Sequence, residues 1–245
     1  MSVLIKRDRD GVSAFELRLA PSAAAGGDAA SAAIAAFARG PAKRSVWSED
    51  GGALAVLNHE GQCEVLDGAS GEPKCTFEHA KALNVALSPR GTYAVSVHRF
   101  SRGEGENLYV WDLRSGERIA TFYERSYSAD TFPPVRWTQD EAKCARVVPS
   151  GIEVYDGADF AAGIAHKIAL PNVQCFELAP PQPIGGGVRY QVATFVPERN
   201  GKAGQLDVFA LPEVGVATAG KSFFKASNAR IVWAPNAKVS VCCVP

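Results

Sequence analysis

The chain is 245 residues long, 47% hydrophobic and 21% charged, and its 26 basic residues balance its 26 acidic ones. That composition belongs to a globular protein with ample apolar mass for a core. It excludes bulk electrostatic attraction to nucleic acid or to an anionic membrane, so an RNA contact has to come from a local basic patch. The cysteines at 63, 75, 144, 175, 242 and 243 show neither C-x-x-C spacing nor a Cys/His metal pattern. They read as small reduced core residues, and the expected location is cytoplasmic.

At the N-terminus, MSVLIKRDRDG offers only a short apolar run before charges intervene, so no signal-peptide core is expected. No stretch approaches the roughly 18 apolar residues of a membrane span. Residues 1–19 supply one or two strands, VSAFELRL being the better one. Residues 20–40 (APSAAAGGDAASAAIAAFARG) lack a strand period and read as a loop with at most a short helical turn around Ile34 to Phe37.

From Val46 the pattern becomes regular. VWSEDGGALAVL (46–57), VALSPRGTYAVSV (85–97) and VRWTQDEAKCARVV (135–148) share one phrase: apolar residues, a hydroxyl residue, a polar turn and a second apolar strand. The hydroxyls are Ser48, Ser88 and Thr138, at offsets of 40 and 50. A partner phrase recurs as EVLDG (64–68), YVWDL (109–113), EVYDG (153–157) and, more weakly, DVFAL (207–211). Its longest clean echo sets VLDGASGEPKCTF (65–77) against VWDLRSGERIATF (110–122), identical at seven of thirteen positions. Units of about 40–45 residues with this grammar are WD-type propeller blades, each burying its faces by stacking on a neighbour.

The longer intervals imply loop insertions at PPQPIGGG (180–187), PERNGKAG (197–204) and SRGEGEN (101–107). The last copy, ARIVWAPNAKVSVCCV (229–244), supplies two strands. The expected fold is all-β, a WD40-like β-propeller forming an incomplete arc of about five blades rather than a closed ring. Residues 1–45 hold the N-terminal strands and Ala/Gly-rich loop. Blades are expected at 46–80, 81–130, 131–170 and 171–225, with a partial one at 226–245.

Catalytic and phosphate-binding motifs are absent from the sequence. There is no G-x-S-x-G elbow, His59-Glu60 lacks the second histidine of H-E-x-x-H, and Gly185 to Gly187 form a loop rather than a phosphate cradle. The histidines at 59, 79, 98 and 166 are dispersed. No catalytic residue, cofactor or metal site is therefore expected, and the chain is read as a binding protein rather than an enzyme. In WD repeats a His, an inner-strand Ser/Thr, a turn Asp and a Trp form a hydrogen-bonded set. His79, Ser88 and Trp111 occupy suitable places here, but Arg90 stands where the Asp belongs. Trp47, Trp111, Trp137 and Trp233 lie in strand register and are read as packing residues.

KSFFKASNAR (221–230) sets Lys221, Lys225 and Arg230 around Phe223 and Phe224. Two readings stand. In one the segment is a link between blades, with Phe223 or Phe224 plugging the core. In the other it is a small basic-aromatic patch for ribosomal RNA, with those five residues as its contacts.

KSFFKAS (221–227), WTQDEAKCAR (137–146) and YQVATFVPERNGKAG (190–204), with the LSP and LYVWDLRSGE segments at 87–89 and 108–117, resemble the eukaryotic translation initiation factor 2A family. The likeness runs from about residue 46 onward and corresponds to the N-terminal part of that family's propeller. It implies binding to the small (40S) ribosomal subunit and to initiator methionyl-tRNA in a GTP-independent manner. It also implies mRNA and other initiation factors as further partners, no membrane and no cofactor. The alternative is a generic WD-repeat interaction scaffold, including the propeller subunit of initiation factor 3. The absence of an RNA-recognition domain ahead of the propeller argues against that last identity.

Overall fold

The repeated phrases become hairpins because their turns satisfy their own polar groups. The computed structural model describes the strands at 2–7, 12–17 and 34–39 and residues 42–129 and 131–244. The chain forms two compact units, one running to Glu124 and one from Arg125, with the Ser88–Arg90 turn grouped with the second.

In the first unit, β1 (Ser2–Arg7), β2 (Val12–Leu17) and β3 (Ile34–Arg39) form an antiparallel sheet in that order. β3 corrects the helical turn expected around Ile34 to Phe37: the segment pairs with β2, Val12 opposite Arg39 and Ala14 opposite Phe37. Ladder pairing has overridden the helix preference of an alanine-rich run. The rest of the expected loop, residues 20–33, lies outside the described residues.

Next come β4 (Arg44–Trp47), β5 (Ala53–Leu57), β6 (Gln62–Asp67) and β7 (Pro73–Glu78), paired in sequence. β8 (Asn84–Leu87), β9 (Tyr93–Val97), β10 (Leu108–Asp112) and β11 (Glu117–Phe122) repeat the arrangement. Every residue of β5 is buried. Ala53, Ala55 and Leu57 join Val65, Phe77, Val85 and Trp111 in one core, while Leu54 and Val56 join Ala42 and Leu66 in another. A strand covered on both faces has no polar side, which is why ALAVL reads as a continuous apolar run.

The 45-residue echo is an echo of geometry as well. Both copies carry a register shift at the same place, between Val65 and Leu66 and between Val110 and Trp111. The turns that follow match: the Gly71 amide donates to the Asp67 carbonyl and the Gly116 amide to the Asp112 carbonyl, each at 2.8 Å. Gly71 and Gly116 have φ of 71° and 73°, a left-handed backbone that glycine adopts without strain. The Asp67 carboxylate accepts from the Ser70 and Ala69 amides, and Asp112 from the Arg114 side chain and amide. These bonds hold both carboxyls below the usual range. The shared Asp, Ser and Gly are therefore the parts of one turn.

In the second unit, β12 (Val135–Trp137), β13 (Lys143–Val148), β14 (Gly151–Asp156) and β15 (His166–Ile168) form a four-stranded sheet. β16 (Cys175–Leu178), β17 (Gln182–Ile184), β18 (Gly187–Val196), β19 (Gly204–Leu211) and β20 (Ala219–Phe223) follow in the order β16-β18-β19-β20, with β17 folded back on the start of β18. The PPQPIGGG insertion thus makes a strand of its own. β21 (Asn228–Trp233) and β22 (Val239–Val244) form a two-stranded sheet. Ile152, Val154 and Ile168 pack with Phe176, Val192 and Phe209, and Phe195, Leu206 and Val208 pack with Ala226, Ala229 and Ile231.

The hydroxyl phrase is a second recurring geometry along the chain. The Ser48 hydroxyl donates to Asp50 at 2.7 Å and accepts from the Ala53 amide at 2.9 Å. Thr138 does the same with Asp140 at 2.6 Å and the Lys143 amide at 3.1 Å. Burial pushes the Asp50 and Asp140 carboxyls upward, but the hydroxyl and amide donors outweigh it and both sit below their ordinary value. Arg90 takes the carboxylate's place in the middle copy.

Cys63 and Cys144 are buried, Cys75 and Cys175 half-buried, and all four are free thiols. Burial pushes the Cys63 and Cys144 thiols well up. The side chains of Cys242 and Cys243 lie outside the described residues. Among the described residues no helix is long and apolar enough to cross a membrane.

Candidate functional site

The five candidate contacts from KSFFKASNAR are parted by strand geometry. β20 ends at Phe223, and Phe224 and Lys225 form the turn beyond it. Phe223, paired with Gly204 at the end of β20, is half-buried and packs against the core of Phe195, Leu206 and Ala226. Phe224 is 86% exposed. Of the two readings of the segment, the core plug therefore describes Phe223 and leaves Phe224 on the surface.

Phe224 stands on a fixed knuckle. Lys225 has a φ of 56°, the left-handed region a lysine seldom adopts, and its amide donates to the Glu198 carboxylate at 2.5 Å. The Glu198 amide donates in turn to the Ala226 carbonyl at 2.9 Å, and Ala226 is buried. Glu198 belongs to the PERNGKAG insertion between β18 and β19, where Arg199 and Lys202 exchange backbone hydrogen bonds at 3.0 and 3.1 Å. The Arg199 guanidinium donates to Asn172 Oδ1 at 2.9 Å, and the Gln174 amide group donates to the Ser227 carbonyl at 3.0 Å. The insertion and the KSFFKAS turn are thus laced together.

Lys221, two residues before Phe223 on β20, is exposed, as are Lys225, Arg199 and Lys202. Arg230 is exposed too, but on the outward face of β21 with Asn228 and Val232, opposite Ala229 and Ile231. Sequence reasoning missed Glu198, Arg199 and Lys202 as part of this site. In sequence their segment reads only as an insertion, and the signal that could have raised it is three charged residues within five positions.

A second polar cluster lies in the first unit. Ser96, at 0% exposure on β9, accepts a hydrogen bond from Trp111 Nε1 at 2.8 Å and sits 2.6 Å from His79 Nδ1. His79 Nε2 is 2.6 Å from His98 Nδ1. The serine oxygen accepts from Trp111, and the His79 tautomer sets which partner donates in the Ser96–His79 and His79–His98 contacts. The His79 ring stacks on Tyr109 at 3.9 Å, and the Arg118 guanidinium lies 4.6 Å from the Tyr109 ring centre. Burial, then the neighbouring His98 and Arg118, push His79 down to about 3, and burial lowers His98 as well, so both rings are neutral near pH 7.

This network corrects the expected one. The hydroxyl that joins His79 to Trp111 is Ser96, not Ser88, because Ser96 lies opposite Tyr109 on the neighbouring strand. Ser88 instead sits at the end of β8, in the position of Ser48 and Thr138. Two histidines dispersed in sequence are brought together. The Ser96–His79 pair is closed to any substrate, since the serine is fully buried and its oxygen already engaged. Among the described residues, no group of three or more His, Cys, Asp or Glu side chains could hold a metal ion.

No family model matches the chain. It is 24% identical over 202 residues to eukaryotic translation initiation factor 2A of Dictyostelium discoideum, covering 82% of this chain and 32% of that protein. A component of eukaryotic translation initiation factor 3 from Anopheles gambiae is 25% identical over 187 residues, covering 76% of this chain and 25% of that protein. The chain therefore spans about a third or less of the length of these curated relatives. Among solved structures, the crystal structure of a eukaryotic initiation factor superposes with a TM-score of 0.76 at 21% identity, covering 97% of this chain and 57% of that one. The WD40 domain of Toxoplasma gondii coronin superposes with a TM-score of 0.57 at 14% identity, covering 98% and 62%. The expected all-β, WD40-like propeller fold is the one observed, and the resemblance to initiation factor 2A is borne out by its curated relatives.

Proposed function

We propose that this chain is a non-catalytic binding protein of translation initiation, engaging the small (40S) ribosomal subunit and initiator methionyl-tRNA without GTP, in the cytoplasm. The observation that carries this reading is the initiation factor 2A likeness across 82% of the chain. The laced KSFFKAS and PERNGKAG segments support it, because both belong to the resemblance and together they raise a basic, aromatic surface. Lys221, Phe224, Lys225 and Arg230 are the proposed RNA or ribosome contacts. Phe223 supports them from the core. mRNA and other initiation factors are further proposed partners.

Cosedimentation with 40S particles, with and without initiator tRNA, tests this. The expected result is protein in the 40S pellet with more of it when initiator tRNA is present, at physiological as well as low salt. Protein left in the supernatant at both salts contradicts the reading. The likeness to the initiation factor 3 component favours a second reading, a scaffold that binds other proteins. That reading predicts 40S association indifferent to initiator tRNA.

A further inference from the structure

We infer that the Phe224 knuckle is a stacking platform for single-stranded RNA, with the Arg199–Lys202 turn supplying part of its phosphate contacts. The choice of RNA rests on the proposed initiation role. The site itself rests on geometry.

Three observations carry it. The first is that Phe224 is 86% exposed on a turn whose backbone is held by hydrogen bonds. A single exposed apolar side chain is ordinary on a protein surface. This one, however, is followed by a left-handed Lys225, and the turn is fastened by the Lys225-to-Glu198 and Glu198-to-Ala226 hydrogen bonds. A backbone so fixed has little freedom left to lose when a flat partner covers the ring.

The second is charge. Lys221, Lys225, Arg199 and Lys202 lie exposed around or beside the turn. Two carboxylates at the site are already engaged, Glu198 with the Lys225 amide and Asp207 on β19 with Gln205. The balance is cationic, in a chain whose formal net charge is zero. That suits a polyanion.

The third is shape. Phe224 stands open to solvent at 86% exposure, and an open ring fits a base that is not already stacked on both sides. Bases inside a duplex are, whereas unpaired RNA has faces to give.

The test measures binding of a fluorescein-labelled single-stranded RNA of ~12 nucleotides to the full chain by anisotropy, at about 50 and 200 mM salt. Phe224→Ala is expected to weaken binding by about tenfold with an unchanged salt slope, and Phe224→Trp to restore it. Lys202→Ala and Lys225→Gly are each expected to reduce the salt slope by about one. Glycine accepts the positive φ at 225, so that variant removes the charge and keeps the turn. A Phe224→Ala protein that binds like the parent, a blunt duplex that binds as tightly as the single strand, or an acidic peptide that displaces the RNA at equal concentration each overturns the inference. Cosedimentation of the same proteins keeps the two claims apart. A parent chain that pellets with 40S particles but does not bind single strands sinks the platform alone. One that binds single strands through Phe224 but stays in the supernatant sinks the initiation role and supports the platform.

Discussion

The Trp111–Ser96–His79–His98 cluster and the Phe224 knuckle are built from the same kinds of residue, aromatic rings beside nitrogen bases. They differ in what surrounds them. In the first, Ser96 is fully buried, His79 stacks on Tyr109, and the hydrogen-bonding atoms are turned inward. In the second, the ring and its cations face solvent, and the hydrogen bonds that fix the turn come from the backbone and one carboxylate. On the inference above, an aromatic-basic motif serves stability or binding according to whether its polar atoms are consumed within the fold.

The sharpest way to break that contrast is to empty the buried cluster. Trp111→Ala removes the ring stacked on Phe77 at 4.5 Å and the donor to Ser96. It is expected to lower stability by about 3–5 kcal/mol, read as a fall in urea midpoint. Ser96→Ala leaves the Trp111 and His79 nitrogens buried without their hydroxyl and is expected to cost about 1–3 kcal/mol in the same assay.

A pH series comes next. His79 is held down to about 3, whereas an imidazole in the unfolded chain protonates near the ordinary value. Between those values the unfolded state binds the proton and the folded state does not, so stability falls as pH drops below about 6.5 and is unaffected above it. The slope from His79 is at most about 1.4 kcal/mol per pH unit. His98, lowered as well, adds in the same direction. Urea midpoints at about pH 7 and pH 5 should differ, and His79→Phe should flatten the difference. The smallest effect on stability belongs to the knuckle: Phe224→Ala is expected to leave the midpoint within about 0.5 kcal/mol of the parent.

Much of the blade pattern was legible because its turns are local. The Asp-x-x-Ser-Gly echo and the Ser/Thr-x-Asp turn each close within a handful of residues, so sequence offsets capture them. What was missed depends on contacts far apart in the chain. β3 exists through its ladder with β2, against the propensity of its alanines. Ser96 rather than Ser88 completes the His79 network because of the β9–β10 register. The division of labour between Phe223 and Phe224 turns on where β20 ends and its turn begins, and Glu198 enters the site from an insertion 27 positions away from Lys225.

The most direct test joins both halves of the comparison in one pair of proteins. Phe224→Ala and Ser96→Ala are each assayed for unfolding midpoint and for affinity toward the labelled single-stranded RNA. The account predicts a crossed result: Phe224→Ala keeps the parent midpoint and loses about tenfold in affinity, while Ser96→Ala loses stability and, under conditions where it is folded, binds RNA like the parent. A Phe224→Ala protein with undiminished affinity, or a Ser96→Ala protein of parental stability, would contradict it.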